Sequence, residues 1–318
     1  MSRAESERKL QELAVSAWDG EIRWPDISAW SENFDGRHLG DSDIEQEHAL
    51  FALTKFIYFG RRLVRELLRS LYRDRFEAPL IQRIRRNHRN TRDAALLRKV
   101  YQSELATTRF AGLGNPAESG AHLLYFFRQV NYLQKDLFAD LRSLFAVAKD
   151  PTTGEFLYGI RDSGIRRVVL FDDLVGSATQ VSQYLLTELR RIRRGNPQLE
   201  ISFMALFATT EGLSRLNEPG LFDGRATCMF ELDDSYKSHD AGSRYFVATP
   251  SWFDVAKFRG MAAHYGGHLR PGMALGYKGG QLMLGFSHNT PDNTLPIFWD
   301  EGARAPWAPV FPRFDKKY

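Results

Sequence analysis

Residues 168–182 read Val-Val-Leu-Phe-Asp-Asp-Leu-Val-Gly-Ser-Ala-Thr-Gln-Val-Ser, and this order decides the fold. Val168 to Phe171 form an apolar run of strand length, the pattern of a strand buried on both faces of a parallel sheet. Asp172 and Asp173 follow, expected where that strand leaves the sheet, at the carboxyl edge where α/β proteins hold ligands. Gly176, Ser177, Ala178, Thr179 and Gln180 then turn into a helix expected over 179–194. Small residues there leave backbone N–H groups free to meet an anion, and the helix dipole adds about half a positive charge at its start. Acceptors for sugar hydroxyls thus stand beside donors for a phosphate, and a sugar phosphate satisfies both. The same residues also suit a plain strand end and helix cap. Two other phosphate motifs are absent, the GxGxxG dinucleotide loop and the GxxxxGK[ST] loop. A phosphatase of the haloacid type needs a second Asp two residues after Asp172, where Leu174 stands.

Outward from this segment, strands alternate with helices. Strands are expected at 109–113, 155–160, 167–171, 201–207 and 226–232, with helices at 121–129 and 179–194. That alternation predicts an α/β fold with a mainly parallel sheet flanked by helices. Upstream, Trp18, Trp24, Trp30 and Phe34 read as an irregular aromatic segment. A helix is expected after Asp41-Ser42-Asp43, with Glu45 as capping-box partner of Ser42. Helical spacing of apolar residues then continues from Leu53 to Tyr72, and a further helix covers 93–104. The expected organisation is an N-terminal α-helical region (1–105), an α/β core (106–260) and a C-terminal hood and tail (261–318).

Hydrophobic content of 43% and charge of 26% are ordinary for a globular chain and exclude wholesale disorder. No apolar run approaches the roughly 18 residues needed to cross a bilayer, and the mixed-charge N-terminus lacks the apolar stretch of a secretion signal. The single cysteine, Cys228, can form neither an internal disulfide nor a multi-thiolate metal site. A soluble, cytoplasmic protein without a membrane partner is expected. Net charge is only +4, but it is uneven: between Gly60 and Arg109, fourteen Arg and Lys residues face five Asp and Glu residues, a net of +9. Either this is a solvated helical face, or it meets a nucleic-acid or protein partner, arginine offering phosphates both charge and a bidentate fork.

The segment 168–182 resembles the PRPP-binding motif of type I phosphoribosyltransferases: an apolar strand, two acidic residues, two apolar residues, then a small Thr/Ser/Gly loop opening a helix. The resemblance implies that Asp172 and Asp173 serve catalysis by binding the ribose hydroxyls of PRPP. It also implies that Gly176, Ser177, Ala178, Thr179 and Gln180 embrace the 5-phosphate, and that Mg²⁺ accompanies PRPP. The chain departs from the pattern where Ala178 replaces the usual glycine and Gln180 the usual Thr or Ser. Further stretches are similar to a phosphoribosyltransferase-like branch found in prokaryotic conflict systems, some linked to retrons: Thr108-Arg109-Phe110, Asn115 to Gly120, Leu124 to Gln129, and His288 to Pro296. An antiviral role follows from that likeness as an expectation.

Asn115-Pro116-Ala117-Glu118-Ser119-Gly120 is a strand-to-helix loop, placed like the pyrophosphate loop of those enzymes. Asn115, Glu118, Ser119 and Gly120 are its candidate contacts to a diphosphate or its Mg²⁺, and a plain helix-capping loop reads the same way. His288–Pro296 is either a turn or a cover for an acceptor pocket, and Asp233-Asp234-Ser235-Tyr236 is a second strand exit. No general base and no protein metal ligand can be assigned. Two functions remain: transfer of phosphoribosyl from PRPP to a base or other acceptor, or a phosphoribosyltransferase-fold sensor of PRPP or a nucleotide, working through a macromolecular partner.

Overall fold

The computed structural model describes residues 2–113, 119–149, 151, 154–177, 179–302 and 306–313, with backbone alone at 119, 121 and 179–184. In chain order the elements are α1 (Arg3–Ser16), α2 (Trp24–Ser31), α3 (Ser42–Leu53), β1 (Ile57–Phe59), α4 (Arg61–Leu71), α5 (Ala78–Asn87), α6 (Ala94–Ala106), β2 (Thr108–Gly112) and α7 (Ser119–Val130). Then come β3 (Phe145–Lys149), β4 (Phe156–Ile160), β5 (Arg167–Val175), α8 (Thr179–Gly195), β6 (Glu200–Thr209), α9 (Thr210–Leu216), β7 (Ala226–Leu232), α10 (Val255–Leu269) and β8 (Leu284–Phe286). Two compact units result: residues 1–64 with 232–318, and residues 65–231. This partition differs from the linear division at 105 and 260, because it follows contacts and joins segments distant in sequence.

The first unit is built on aromatic packing. Trp18, Trp30, Phe34, Phe51, Phe258 and Phe298 are almost wholly buried in one cluster. The indole N–H groups of Trp30 and Trp307 both donate to the Ile297 carbonyl, at 2.6 and 3.0 Å, so these large side chains bury without orphaning a donor. Of the aromatics expected in an irregular segment, Trp24 and Trp30 are carried on α2, whereas Trp18 and Phe34 lie in the irregular stretches that follow α1 and α2. The helical spacing from Leu53 to Tyr72 is also broken, by β1, which pairs in parallel with β8. Three extended residues between two helices are too few to change an apolar periodicity visibly. Glu45 does not act as capping partner of Ser42. Asp41 caps α3, accepting from the Asp43 and Ile44 N–H groups. Glu45 is fully buried and accepts from the N–H groups of Gly36, His38 and Leu39 at 2.8, 2.9 and 2.7 Å. The Tyr265 hydroxyl also donates to it, and burial followed by this bond raises the Tyr265 pKa.

The second unit holds a four-stranded sheet in the order β2-β5-β6-β7, with β2, β5 and β6 mutually parallel, beside a separate antiparallel hairpin, β3–β4. This is the expected α/β architecture. Its two faces are covered differently. Phe110 and Phe171 meet Phe127 of α7, ring centroids 5.3 and 5.5 Å away. Ala111, Val168, Leu170, Ile201 and Phe203 instead share a buried cluster with Leu185, Leu189 and Ile192 of α8. Consecutive strand residues point to opposite faces, so α7 covers one face and α8 the other.

At the amino edge of the sheet, Arg167 is nearly buried and donates to Glu200, Glu104 and Thr108, each at 3.1 Å. Glu200 also accepts from Arg83 at 3.0 Å. Burial alone would raise the Glu200 pKa, but the two guanidiniums outweigh it and leave the group below its usual value. Removing one member of such a network strands the others. Arg167→Met should therefore lower the unfolding free energy by about 1–3 kcal/mol at neutral pH, less than a fully buried pair because both carboxylates keep some solvent. The depressed Glu200 pKa contributes stability that is present above its unfolded value of about 4.3 and lost as pH falls through the folded one. Urea unfolding should accordingly show the gap between wild type and variant narrowing between about pH 6 and about pH 3.

Candidate functional site

The ladder between β2 and β5 ends at the Gly112–Phe171 pair, followed by the Leu113 N–H donating to the Phe171 carbonyl at 3.0 Å. On the other side β5 continues against β6 through Asp172–Ala205, Leu174–Phe207 and Val175–Ala208. The strand therefore does not stop at Phe171; it runs four residues further, and Asp172 and Asp173 lie within it. They come at the carboxyl edge nonetheless, because Asp172 is the first residue of β5 without a partner on the β2 side. The sequence hides this, since two acidic residues are poor strand formers in isolation and the neighbouring strand holds them extended.

The two carboxylates differ in setting. Asp172 is partly exposed and accepts the Asp173 N–H at 2.9 Å; Asp173 is buried and accepts the Leu174 N–H at 2.8 Å. Of the pair only Asp172 keeps contact with solvent. Each carboxylate has one oxygen oriented by the backbone N–H of the next residue.

Two glycines press on this strand end. A methyl group at Gly120, in the first turn of α7, would lie 2.8 Å from the Phe171 carbonyl oxygen and 3.3 Å from Asp172 Oδ1. Gly120 is thus brought directly beside Asp172. On the far side, the Thr209 hydroxyl donates to the Gly176 carbonyl at 2.8 Å and accepts the Gly212 N–H at 3.0 Å. A side chain on Gly212 would collide with the Gly176 carbonyl. Thr209 and Gly212 are functional supports that the sequence reading missed. The available signal was a threonine at the end of a buried strand, three residues before a glycine.

Asn115, Glu118 and Ala178 lie outside the described residues, as do the side chains of Ser119, Thr179 and Gln180. Ser177 follows Gly176 in a bend before α8. The other flagged segments are occupied with their own chain. Thr290 and Thr294 are buried and donate to the carbonyls of Phe311 and Leu284, at 3.0 and 2.6 Å, so His288–Pro296 is held as a packed turn. Asp233 caps a short helical turn by accepting the Ser235 N–H at 3.0 Å. Cys228 is buried, which raises its thiol pKa.

The crevice is defined by direction of travel. β2 leads to α7 on one face and β5 leads to α8 on the other. Such a reversal leaves a groove outside the carboxyl ends of the strands, the usual ligand position in open α/β sheets. A sheet of this kind with acidic residues at the strand exit and a small-residue loop is phosphoribosyltransferase-like. The PRTase-CE family model matches residues 27–313, and the chain belongs to that family. No curated protein matches the chain. Among solved structures it is similar to the Helicobacter pylori xanthine-guanine-hypoxanthine phosphoribosyltransferase, with 12% identity and TM-score 0.28, covering 62% of this chain and 90% of that one. It is also similar to a hypothetical protein from Neisseria gonorrhoeae with bound ppGpp, with 9% identity and TM-score 0.30, covering 56% and 84%. The AQ2163 protein from Aquifex aeolicus gives 15% identity and TM-score 0.29, covering 67% and 86%. Among the described residues no helix is long and apolar enough to cross a membrane.

The packing of the glycines is directly testable. Gly120→Ala should lower stability by about 1–3 kcal/mol, the usual range for overpacking, and Gly212→Ala should cost at least as much, because both methyl groups meet a backbone carbonyl but the one at Gly212 comes closer. Denaturant unfolding of both variants measures this. Wild-type stability in the pair would mean that the helix starts do not press on the strand ends.

Proposed function

We propose that the crevice between β2 and β5 binds PRPP, or a related ribose 5-phosphate, and supports transfer of its phosphoribosyl group to a base or other nucleophile. The observation that carries this reading is the reversal of helix direction between β2 and β5, with Asp172 emerging at the reversal. Asp172 and Asp173 are the acceptors for ribose hydroxyls. Residues 176–180 are the phosphate loop, and Asn115, Glu118, Ser119 and Gly120 flank the diphosphate. Mg²⁺ belongs to this proposal as the companion of PRPP. Such an ion is commonly held by one or two carboxylates together with substrate phosphates. Asp172 suits that role, and among the described residues no cluster of three or more ligating side chains forms a separate cage.

In the reaction the bond from the anomeric carbon to a pyrophosphate oxygen breaks, and a bond from that carbon to the acceptor forms. The acceptor's proton leaves to solvent, and pyrophosphate takes the bonding pair. Positive charge accumulates on the ribose ring in the transition state, so fixed carboxylates and oriented donors contribute by electrostatic stabilisation. A second reading, a sensor that binds the ligand without turnover, is favoured by Ala178. A methyl where the family pattern has glycine narrows the phosphate loop and resists positive φ. An anti-phage setting accompanies either reading as part of the proposal.

Calorimetry with PRPP and Mg²⁺, followed by an assay of pyrophosphate release with candidate acceptors, tests both. Asp172→Asn should weaken binding by roughly 10- to 100-fold, the loss of one charge-assisted hydrogen bond, and the double variant with Asp173→Asn by at least about a hundredfold. Unchanged affinity in a folded double variant would end the sugar-binding role. Tight binding with no pyrophosphate released for any acceptor would select the sensor.

A further inference from the structure

The basic stretch between Gly60 and Arg109 separates, in the structure, into two populations. Many of its arginines are spent on neighbours. Arg61 pairs with Glu21, Arg69 with Glu66, Arg73 with Asp74, Arg83 with Glu200 and Arg109 with Asp162. Arg75 donates to the Cys228 carbonyl. The helical hairpin formed by α5 and α6 is different. Arg86, Arg89, Arg92, Arg98 and Lys99 are all exposed, and among the described residues none of them forms an ion pair. Within residues 85–99 six Arg and Lys residues meet one carboxylate, Asp93. That carboxylate is engaged as the cap of α6, accepting from Ala95 and Leu96 N–H groups at 2.9 and 3.1 Å.

Ordinary helix electrostatics does not account for this arrangement. Arg86 sits at the end of α5, where a cation complements the dipole, but Arg92 precedes the start of α6, where a cation opposes it, and Arg98 and Lys99 lie past the first turn, where the dipole offers them nothing. The turn itself is fixed. The Arg85 guanidinium donates to the Thr91 carbonyl at 3.2 Å, and the Asn90 N–H to the Arg85 carbonyl at 2.8 Å. Arg89 and Asn90 both have φ in the left-handed region, at 53° and 57°. Asparagine tolerates that region; arginine does so at a cost that glycine would avoid. An exposed cation is therefore held at the apex against local preference.

We infer that the α5–α6 hairpin is a docking surface for the phosphate backbone of double-stranded nucleic acid. From Asp93 to Lys99 the helix rises about 9 Å, a span facing about five phosphate charges of a duplex. The cations are mostly arginine, whose fork matches phosphate oxygens. Residues 85–99 contain no Phe, Tyr, Trp or Met. That composition lacks both the aromatic anchors typical of protein interfaces and the stacking platforms that grip single strands. The recognition is thus of backbone charge and shape, without a preference for base sequence.

The test measures binding of the full chain to DNA and RNA duplexes of mixed sequence as a function of salt, with polyglutamate of equal charge as competitor. Five neutralised phosphates give a log–log slope near −4.5, a fall of ~500-fold in affinity between about 50 and 200 mM salt. Arg86→Gln, Arg89→Gln and Arg92→Gln together should reduce the slope to about −1.8 and the fall to ~12-fold. A control triple, Arg37→Gln, Arg61→Gln and Arg62→Gln, removes the same net charge at positions paired with Asp35, Glu21 and Asp19, and should leave the slope unchanged. Binding of either duplex with this pattern supports the inference. No duplex binding at 50 mM salt, equal losses in the two triples, or displacement by polyglutamate as effective as by unlabelled duplex would each overturn it.

Discussion

The reversal between β2 and β5 is the constraint on which the candidate site depends. A strand in a parallel sheet must be followed by a segment that covers one face, and its loop leaves the carboxyl end toward that face. Where Phe110 and Phe171 pack on α7 while Val168 and Leu170 pack on α8, the two loops have to diverge. Divergence leaves the end of β5 without a neighbour on one side, and Asp172 occupies that gap. The crevice is therefore a consequence of how apolar residues alternate along β5. No special feature of the loops is needed to open it.

The opposite edge of the same sheet shows the complementary use of charge. Arg167, Glu200, Glu104, Arg83 and Thr108 lock the starts of three strands to the middle of α5 and the last turn of α6 by mutual satisfaction. Burying an arginine is costly unless its donors are met, and here two carboxylates and a hydroxyl meet them. Within the one unit, then, arginines divide according to what faces them. Those opposite carboxylates staple the fold, whereas Arg86, Arg89 and Arg92 around the α5–α6 turn are exposed and, among the described residues, form no ion pair.

Much of the second unit could be read from the chain before its structure. β7 spans 226–232 as expected, α8 begins at Thr179, and β6 extends the anticipated 201–207 by short steps at each end. These elements are legible because a sheet buried on both faces demands continuous apolar runs bounded by polar breaks. The first unit was less legible for a physical reason. Trp24 and Trp30 lie on α2, a helix of eight residues that begins Trp-Pro-Asp, so local propensity spoke for irregular structure while tertiary packing of Trp30 made a helix worthwhile. Glu45 shows the same limit at one residue: spacing assigned it to Ser42, but a buried carboxylate needs several donors, and the loop at 36–39 with Tyr265 supplies four. For the site, Asp172 and the approach of the 119–120 turn followed from strand order. Thr209 and Gly212 did not, because their partner, the Gly176 carbonyl, is a backbone atom that no side-chain pattern reports.

The adjacent Asp172 and Asp173 illustrate why residue type alone does not define a site. Both carry one oxygen oriented by the next residue's N–H, so neither has to reorganise before meeting a donor. Burial separates them. Asp173 is enclosed near the strand axis, where its charge acts in a less polar medium and over a longer effective range. Asp172 lies at the end of the β2 pairing and beside Gly120, where a methyl group would come within 3.3 Å of its Oδ1. Of the two carboxylates, Asp172 is therefore the more accessible and Asp173 the more enclosed. The absence of a Cβ at residue 120 keeps the two compatible, since a larger residue would push on the Phe171 carbonyl and shift the very strand end that presents them.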